Sequence, residues 1–338
     1  MDANFDFSAL PLFWGIFDTL RSDAAPSAQA WQDLFSSPGY QELLDHEFSA
    51  EFFIENFTLA FRPSRDEALR KALDGARRGY LRHYLQIRDE RARVESQVRW
   101  LMQAPLADAA RQLALDWLPQ VGAAAPPQVS FVLFGPDARG FSSVVIDAAF
   151  TLQLEDIAAA LAHEYHHAYR RRLVDGLEEV PEDVSDIVWV LNQLQLEGVA
   201  DQIDKRNWPE AAPTAGPLAG YAQRYVQHYL DSPATLQGLG DGLEEWTRTP
   251  ERRQEAGKRI RTGIPLAGHP TGSFMVRTIE DAFGRKACVE TIADPFEFVR
   301  LYSLAAARTR RAPTLTSAAL QSLAEIEDLC RSEGLRNS

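Results

Sequence analysis

The sequence predicts a predominantly helical α+β protein, and three observations carry that expectation. Apolar residues recur at three- and four-residue steps through long stretches, as in Leu69, Leu73, Tyr80, Tyr84, Ile87, Val94 and Val98. Two short runs, Val129 to Phe134 and Ser143 to Ile146, are instead rich in β-formers and bounded by glycine-containing turns. Soon after them, the stretch from Thr151 to Asp175 lacks both Pro and Gly and carries Ile157, Ala160, Leu161, Ala168 and Leu173 at helical spacing. Within it lies His163-Glu164-Tyr165-His166-His167, an H-E-x-x-H pattern.

Residues 1–120 read as an N-terminal helical region, a cap or partner surface. Ala28 to Phe35 and Tyr40 to Leu59 have helical spacing, separated at Pro38-Gly39 and ended by Pro63. Ser64 to Met102 is a long helical stretch with Gly75 and Gly79 as possible interruptions, and Leu106 to Leu118 is a further helix ending before Pro119. His46 and His83 have no second ligand type at a useful spacing, so they read as surface or packing residues. The small residues from Gly122 to Pro127 mark a boundary, and residues 121–338 are expected to hold the chemistry. A loop from Val174 to Asp183 precedes a second helix, running from near Ser185 to about Ile203 with Asp183 or Ser185 as N-cap. Pro209, Pro213 and Pro217 mark a loop before a Tyr-rich helix, Tyr221 to Leu230. Thr271 to Glu333 is again mostly helical, with Pro295 and Pro313 at element boundaries.

Composition narrows the function classes. Hydrophobic residues make up 45% and charged residues 25%, which is ordinary globular usage. A net charge of −13 argues against nucleic acid or an anionic membrane as partner, and Arg170 to Arg172 and Arg308 to Arg311 read as solvated helix ends. Two cysteines, Cys288 and Cys330, are too few for a thiolate cluster or a disulfide framework. The acidic N-terminus and its short apolar run, Ala9 to Phe17, do not form a signal peptide, and no run of eighteen apolar residues occurs. The expected location is the cytoplasm.

The H-E-x-x-H pattern supplies the chemistry. On a helix, His163 and His167 stand one above the other and can reach one metal ion, with Glu164 beside them to handle a water. A zinc site of this kind needs a third protein ligand and keeps its fourth position for water. Glu197 is the best candidate, on the following helix, and Gly198 would let the two helices approach closely. Asp201, four residues on, can accept the outer ring N–H of a ligand histidine. His166 reads as a packing residue or a contact behind the ligands.

His163-Glu164-Tyr165-His166-His167 followed by Glu197-Gly198-Val199-Ala200-Asp201 resembles the gluzincin zinc metallopeptidases. The match is closest to a bacterial family of uncharacterised zinc-dependent peptidases. That family combines these two motifs with a segment similar to Gly268 to Met275 and another similar to Asp294 to Phe298. The resemblance covers roughly residues 129 to 305 and leaves the N-terminal 120 without a motif. It implies a gluzincin-like catalytic region with a small β-sheet, one Zn2+ per chain and a peptide or protein substrate. Arg170 and Leu173 stand where the metzincin pattern needs Gly and His, and no G-x-M-E-N strand precedes the helix, so aminopeptidase specificity has no support. A di-iron bundle would need a second Glu-x-x-His, which is absent.

The expected activity is zinc-dependent hydrolysis of a peptide bond, with Glu164 as general base. The donor to the developing oxyanion is expected from a later segment. His269, in a Gly/Pro-rich turn, is the first choice, followed by His228 and Tyr225. The Val129–Phe134 strand is a candidate for pairing with an extended peptide. The alternative is a metallopeptidase-like scaffold that has lost catalysis and acts as a binding module. The intact Glu164 counts against it, because a purely structural metal site has no use for a general base.

Overall fold

The computed structural model describes residues 4–119, 125–174 and 180–334. They form a predominantly helical α+β protein with one small sheet. By contacts the chain divides into two units, Met1–Arg111 with Ala124–Ala168, and Gln112–Ala123 with Tyr169–Ser338. Part of the boundary expected at Gly122 to Pro127 and part of the loop expected at Val174 to Asp183 lie outside the described residues.

The first unit opens with strand β1 (Phe5–Asp6) and continues through helices α1 (Ala9–Arg21), α2 (Ala28–Phe35), α3 (Pro38–His46), α4 (Ala50–Phe61), α5 (Asp66–Ala72), α6 (Arg78–Asp89) and α7 (Arg91–Leu101). The chain leaves this unit within α8 (Leu106–Leu115) and returns for β2 (Val129–Val132), β3 (Ala138–Gly140) and β4 (Val144–Asp147). The helices pack through an aromatic core. Phe53, Phe57 and Phe61, one turn apart on α4, are buried with Phe13 and Tyr84, the last meeting Phe57 edge-on at 4.9 Å between centroids.

Two expected helices are broken. Tyr40 to Leu59 divides at Glu47 to Ser49, because the Ser49 hydroxyl accepts the Phe52 amide at 3.2 Å and starts a new helix. Ser64 to Met102 divides at Leu73 to Arg77, beside Gly75, and again at Glu90.

The sheet order is β1-β2-β4-β3, with β1 and β4 parallel to β2 and β3 antiparallel to β4. Val129 to Val132 therefore has a neighbour on each side, and the edges belong to β1 and β3. This corrects the expectation that the Val129–Phe134 strand offers an edge to a peptide. The connection after β2 is fixed by side chains from the helices. Tyr40 donates its hydroxyl to the Leu133 carbonyl at 2.7 Å and Tyr84 donates to that of Phe134 at 2.5 Å. Asp147, fully buried at the end of β4, accepts the amides of Phe134 (2.7 Å), Gly135 (3.1 Å) and Phe150 (2.8 Å), and His83 Nε2 lies 3.0 Å from it. Three charge-assisted bonds satisfy a carboxylate that would otherwise be costly to bury. His83 is thus a core residue.

Helix α9 (Ile157–Arg171) follows, capped by Asp156, whose carboxylate accepts the Ala159 amide at 2.9 Å. It carries H-E-x-x-H, as expected.

The second unit is built from α10 (Glu182–Asp204), α11 (Trp208–Ala211), α12 (Ala219–Leu230), α13 (Ser232–Arg248), α14 (Arg253–Gly263), α15 (His269–Phe283), α16 (Arg285–Glu290), α17 (Pro295–Thr309) and α18 (Ser317–Gly334). Helix α10 begins three residues before the expected start, so Asp183 and Ser185 lie inside it and Pro181 takes the N-cap position. Asp183 and Glu182 still favour that end, since acidic groups in a first turn complement the helix dipole. Pro295 opens α17 as expected, and Asp294 caps it by accepting the Phe296 and Glu297 amides, each at 2.9 Å.

The crossing of α10 and α15 organises this unit. A β-carbon on Gly272 would fall 2.1 Å from the Leu194 carbonyl oxygen, and one on Gly198 would fall 2.3 Å from the Gly272 carbonyl carbon. The two backbones touch, which only glycine on both sides permits. The close approach expected at Gly198 is met by α15, whose backbone supplies its three nearest atoms.

Candidate metal centre

In the first unit, the i, i+4 spacing on α9 brings the rings of His163 and His167 to 4.6 Å between centroids, nearly perpendicular at 84°. Both are buried, as is Glu164 between them in sequence. His166 is fully buried, its ring centroid 6.1 Å from that of His167. Edge strand β3 lies directly on this part of α9. A β-carbon on Gly140 would fall 2.6 Å from His167 Cβ, 2.7 Å from the Glu164 carbonyl oxygen and 3.1 Å from Glu164 Oε2. A side chain there would occupy the space beside the Glu164 carboxylate, so the glycine keeps that space open. Two imidazoles and a carboxylate, sheltered and with room beside them, suit a divalent cation of zinc type.

In the second unit, Glu197 and Asp201 lie one turn apart on α10, both buried. His269 stands against them, its Nδ1 2.9 Å from Asp201 Oδ1 and its Nε2 3.3 Å from Glu197 Oε2. It is not in a turn, as the sequence suggested, but is the first residue of α15. It is delivered there by three successive residues with left-handed backbone, Leu266 (φ 47°), Ala267 (φ 51°) and Gly268 (φ 94°). Two of these are not glycine, so the turn holds strain of order 1–3 kcal/mol per residue. Burial pushes the His269 imidazole down, but the Asp201 and Glu197 carboxylates outweigh that and hold it above its ordinary pKa.

Asp201 also accepts the Tyr225 hydroxyl at 3.0 Å on Oδ2, and Lys205 Nζ lies 3.0 Å from Oδ1. Burial and the neighbouring Asp201 charge push the Tyr225 hydroxyl well above its ordinary pKa, so it stays a donor. His228, one turn along α12, is partly exposed. Lys205 is not marked by either motif, although its spacing of four from Asp201 is a readable signal. Gln202 joins the same crossing, donating to Ser273 Oγ at 2.9 Å.

Arg170, three residues past His167, is buried in the second unit and donates to Asn192 Oδ1 at 2.9 Å and to Gln195 Oε1. Burial without a carboxylate in hydrogen-bond contact lowers its pKa to about 10, opposed in part by the Glu197 charge. It is therefore a core residue, not a solvated helix end.

The chain matches, over residues 31–311, the family model described as "Putative zinc dependent peptidase (DUF5700)". The matched span is most of the chain, and the protein belongs to this family. No curated protein and no solved structure matches it. The membership supports a zinc-dependent hydrolase at the level of class. Among the described residues, no helix is long and apolar enough to cross a membrane.

Proposed function

We propose that the protein is a zinc-dependent peptidase of gluzincin type, in which His163, His167 and Glu197 hold one zinc ion per chain and Glu164 is the general base. The observation that carries the reading is the buried, perpendicular His163/His167 pair with Glu164 in the space that Gly140 leaves open. Family membership supports the metal and the reaction class. When bound, zinc supplies a Lewis acid that polarises a carbonyl and lowers the pKa of a coordinated water to about 7.

The chain's own residues do the rest. Glu164 accepts a proton from the attacking water on a carboxylate oxygen and later delivers it to the departing amine. His269, with Nδ1 held by Asp201, offers Nε2 as the donor to the oxygen on which negative charge develops. Tyr225 supports Asp201 from its other oxygen, and that contact favours a supporting role for it over direct contact with substrate. The buried Glu164 carboxylate also favours the peptidase over the catalytically silent scaffold, which would need no base at that point.

The test is metal content per chain and hydrolysis of a peptide library by wild type, His167→Ala and Glu164→Gln, purified identically without chelators. Wild type should carry about one zinc and His167→Ala almost none. Glu164→Gln should keep the metal and lose activity by about 10²–10⁴-fold. Absence of metal from the wild type after zinc is offered, or full activity in Glu164→Gln, would refute the reading.

A further inference from the structure

Helix α10 carries a stripe that the function above uses only in part. Glu197, Asp201 and Lys205 recur at four-residue steps, so one face presents two carboxylates and then an ammonium. The order is the favourable one, with the acid N-terminal to the base. Lys205 Nζ lies 3.0 Å from Asp201 Oδ1 and 2.7 Å from Asp204 Oδ2, and its side chain is only 12% exposed.

Asp201 is fully buried, and its carboxylate is met at both oxygens. Tyr225 donates to Oδ2, while Oδ1 receives both His269 Nδ1 and Lys205. A carboxylate can turn about its terminal bond, since that torsion is broad and roughly two-fold. With donors on both oxygens, one of them a full charge, the plane is fixed and Oδ1 stays directed at the imidazole. A carboxylate only accepts, so His269 Nδ1 carries a proton, and Nε2 faces a second acceptor, Glu197 Oε2, at 3.3 Å.

We propose that Lys205 is a positioning residue: it pins the Asp201 carboxylate so that His269 is held in one ring orientation, with its Nδ1–H on Asp201 and its Nε2 directed at Glu197. The role in catalysis rests on the peptidase reading, but the effect on the His269 ring does not. Two plainer roles compete, neutralising Asp204 and packing on Trp208, whose ring centre is 6.0 Å from Nζ. Lys205→Met keeps the stem and removes the charge, Lys205→Arg keeps the charge, and Asp204→Asn removes the other ion pair alone.

The experiment uses the full chain, zinc-loaded and ¹⁵N-labelled at histidine. The ring nitrogens of His269 are observed by long-range proton–nitrogen correlation and assigned with His269→Ala. Wild type, Lys205→Arg and Asp204→Asn should each show one ring state with Nδ1 protonated, and Lys205→Met a mixture of ring states or a broadened signal. A Lys205→Met ring spectrum superimposable on wild type overturns the proposal, as does a mixture in Lys205→Arg matching that in Lys205→Met. On a cleaved peptide, Lys205→Met should lower kcat by about 10–100-fold, the range for residues that orient a functional histidine, with KM little changed and recovery in Lys205→Arg. An unchanged kcat in Lys205→Met overturns the catalytic part. If wild type cleaves nothing, the peptidase reading fails and the ring spectrum still decides the role of Lys205. Should Lys205→Met not fold, Lys205→Gln replaces it with the same two outcomes.

Discussion

Substituting Gly272 by alanine tests whether the α10/α15 crossing is as tight as it looks. The new β-carbon would lie 2.1 Å from the Leu194 carbonyl oxygen, 2.8 Å from Gly198 Cα and 3.0 Å from Gly198 N. All three are backbone atoms, so no side chain can swing aside, and the helices must separate by roughly 1 Å in a densely packed interior. Overpacking of a filled core costs typically 1–3 kcal/mol, and a backbone-on-backbone clash belongs at about 3. Against that, exchanging Gly for Ala inside a helix returns about 1 kcal/mol of helix propensity. The net loss is about 2 kcal/mol, which for a unit of this size lowers Tm by about 4–8 °C. Differential scanning calorimetry reads it directly. Gly238→Ala in α13, where no atom lies within 4 Å of the added carbon, is the control and should raise Tm slightly. Gly198→Ala should behave as Gly272→Ala does, and the double variant should lose less than the sum, because the first clash already parts the helices. A Gly272→Ala protein as stable as wild type would refute the claim that the crossing is glycine-limited. His269 begins the helix that must move, so the same variant should also weaken its contacts with Asp201 and Glu197.

Two further outcomes concern other parts of the chain. Asp147→Ala strands the buried amides of Phe134, Gly135 and Phe150, each worth about 1–3 kcal/mol when unsatisfied, so chemical denaturation should show a loss of at least several kcal/mol; a loss below about 1 would contradict the hub. Burial pushes the Cys288 thiol up to about 12 from its usual 9.0, so the folded chain keeps a proton that the unfolded chain releases between those values. Its contribution to stability is full below pH 9 and is lost as pH rises towards 12, by up to about 1.4 kcal/mol per pH unit. Urea midpoints at pH 8 and pH 10 should therefore fall more steeply in wild type than in Cys288→Ala, and parallel slopes would exclude the thiol as the cause.

Much of the fold was legible because single residues announce it. The uninterrupted apolar spacing from Thr151 to Asp175 predicted α9, and the Glu197-to-Asp201 motif fell on a helix as expected. What escaped the sequence depends on contacts far along the chain. Strand β1 is only two residues long and exists because Val129 pairs with Phe5. Strand β3 has the unremarkable sequence Ala-Arg-Gly and is a strand because β4 lies beside it. The breaks at Ser49 and near Gly75 were written locally, in a capping hydroxyl and a glycine, but the apolar period ran straight across them. At the site, the histidine pair and its glutamate were readable from spacing alone. The seat of His269 was not, since it depends on the left-handed turn at Leu266 to Gly268 and on a glycine contact between helices far apart in sequence.

The parallel pairing of β1 with β2 has a consequence for synthesis. Phe5 and Phe7 emerge early, yet the ring they pack on, Phe131, with Phe7 stacked against it at 4.7 Å, is translated more than a hundred residues later. At ordinary elongation speeds that delay is roughly 6–25 s, far longer than local helices need to form. The nascent chain must therefore carry an unfinished aromatic face on the ribosome until β2 and β4 arrive. The rate of translation across that interval should therefore influence how much of the chain is recovered in folded form.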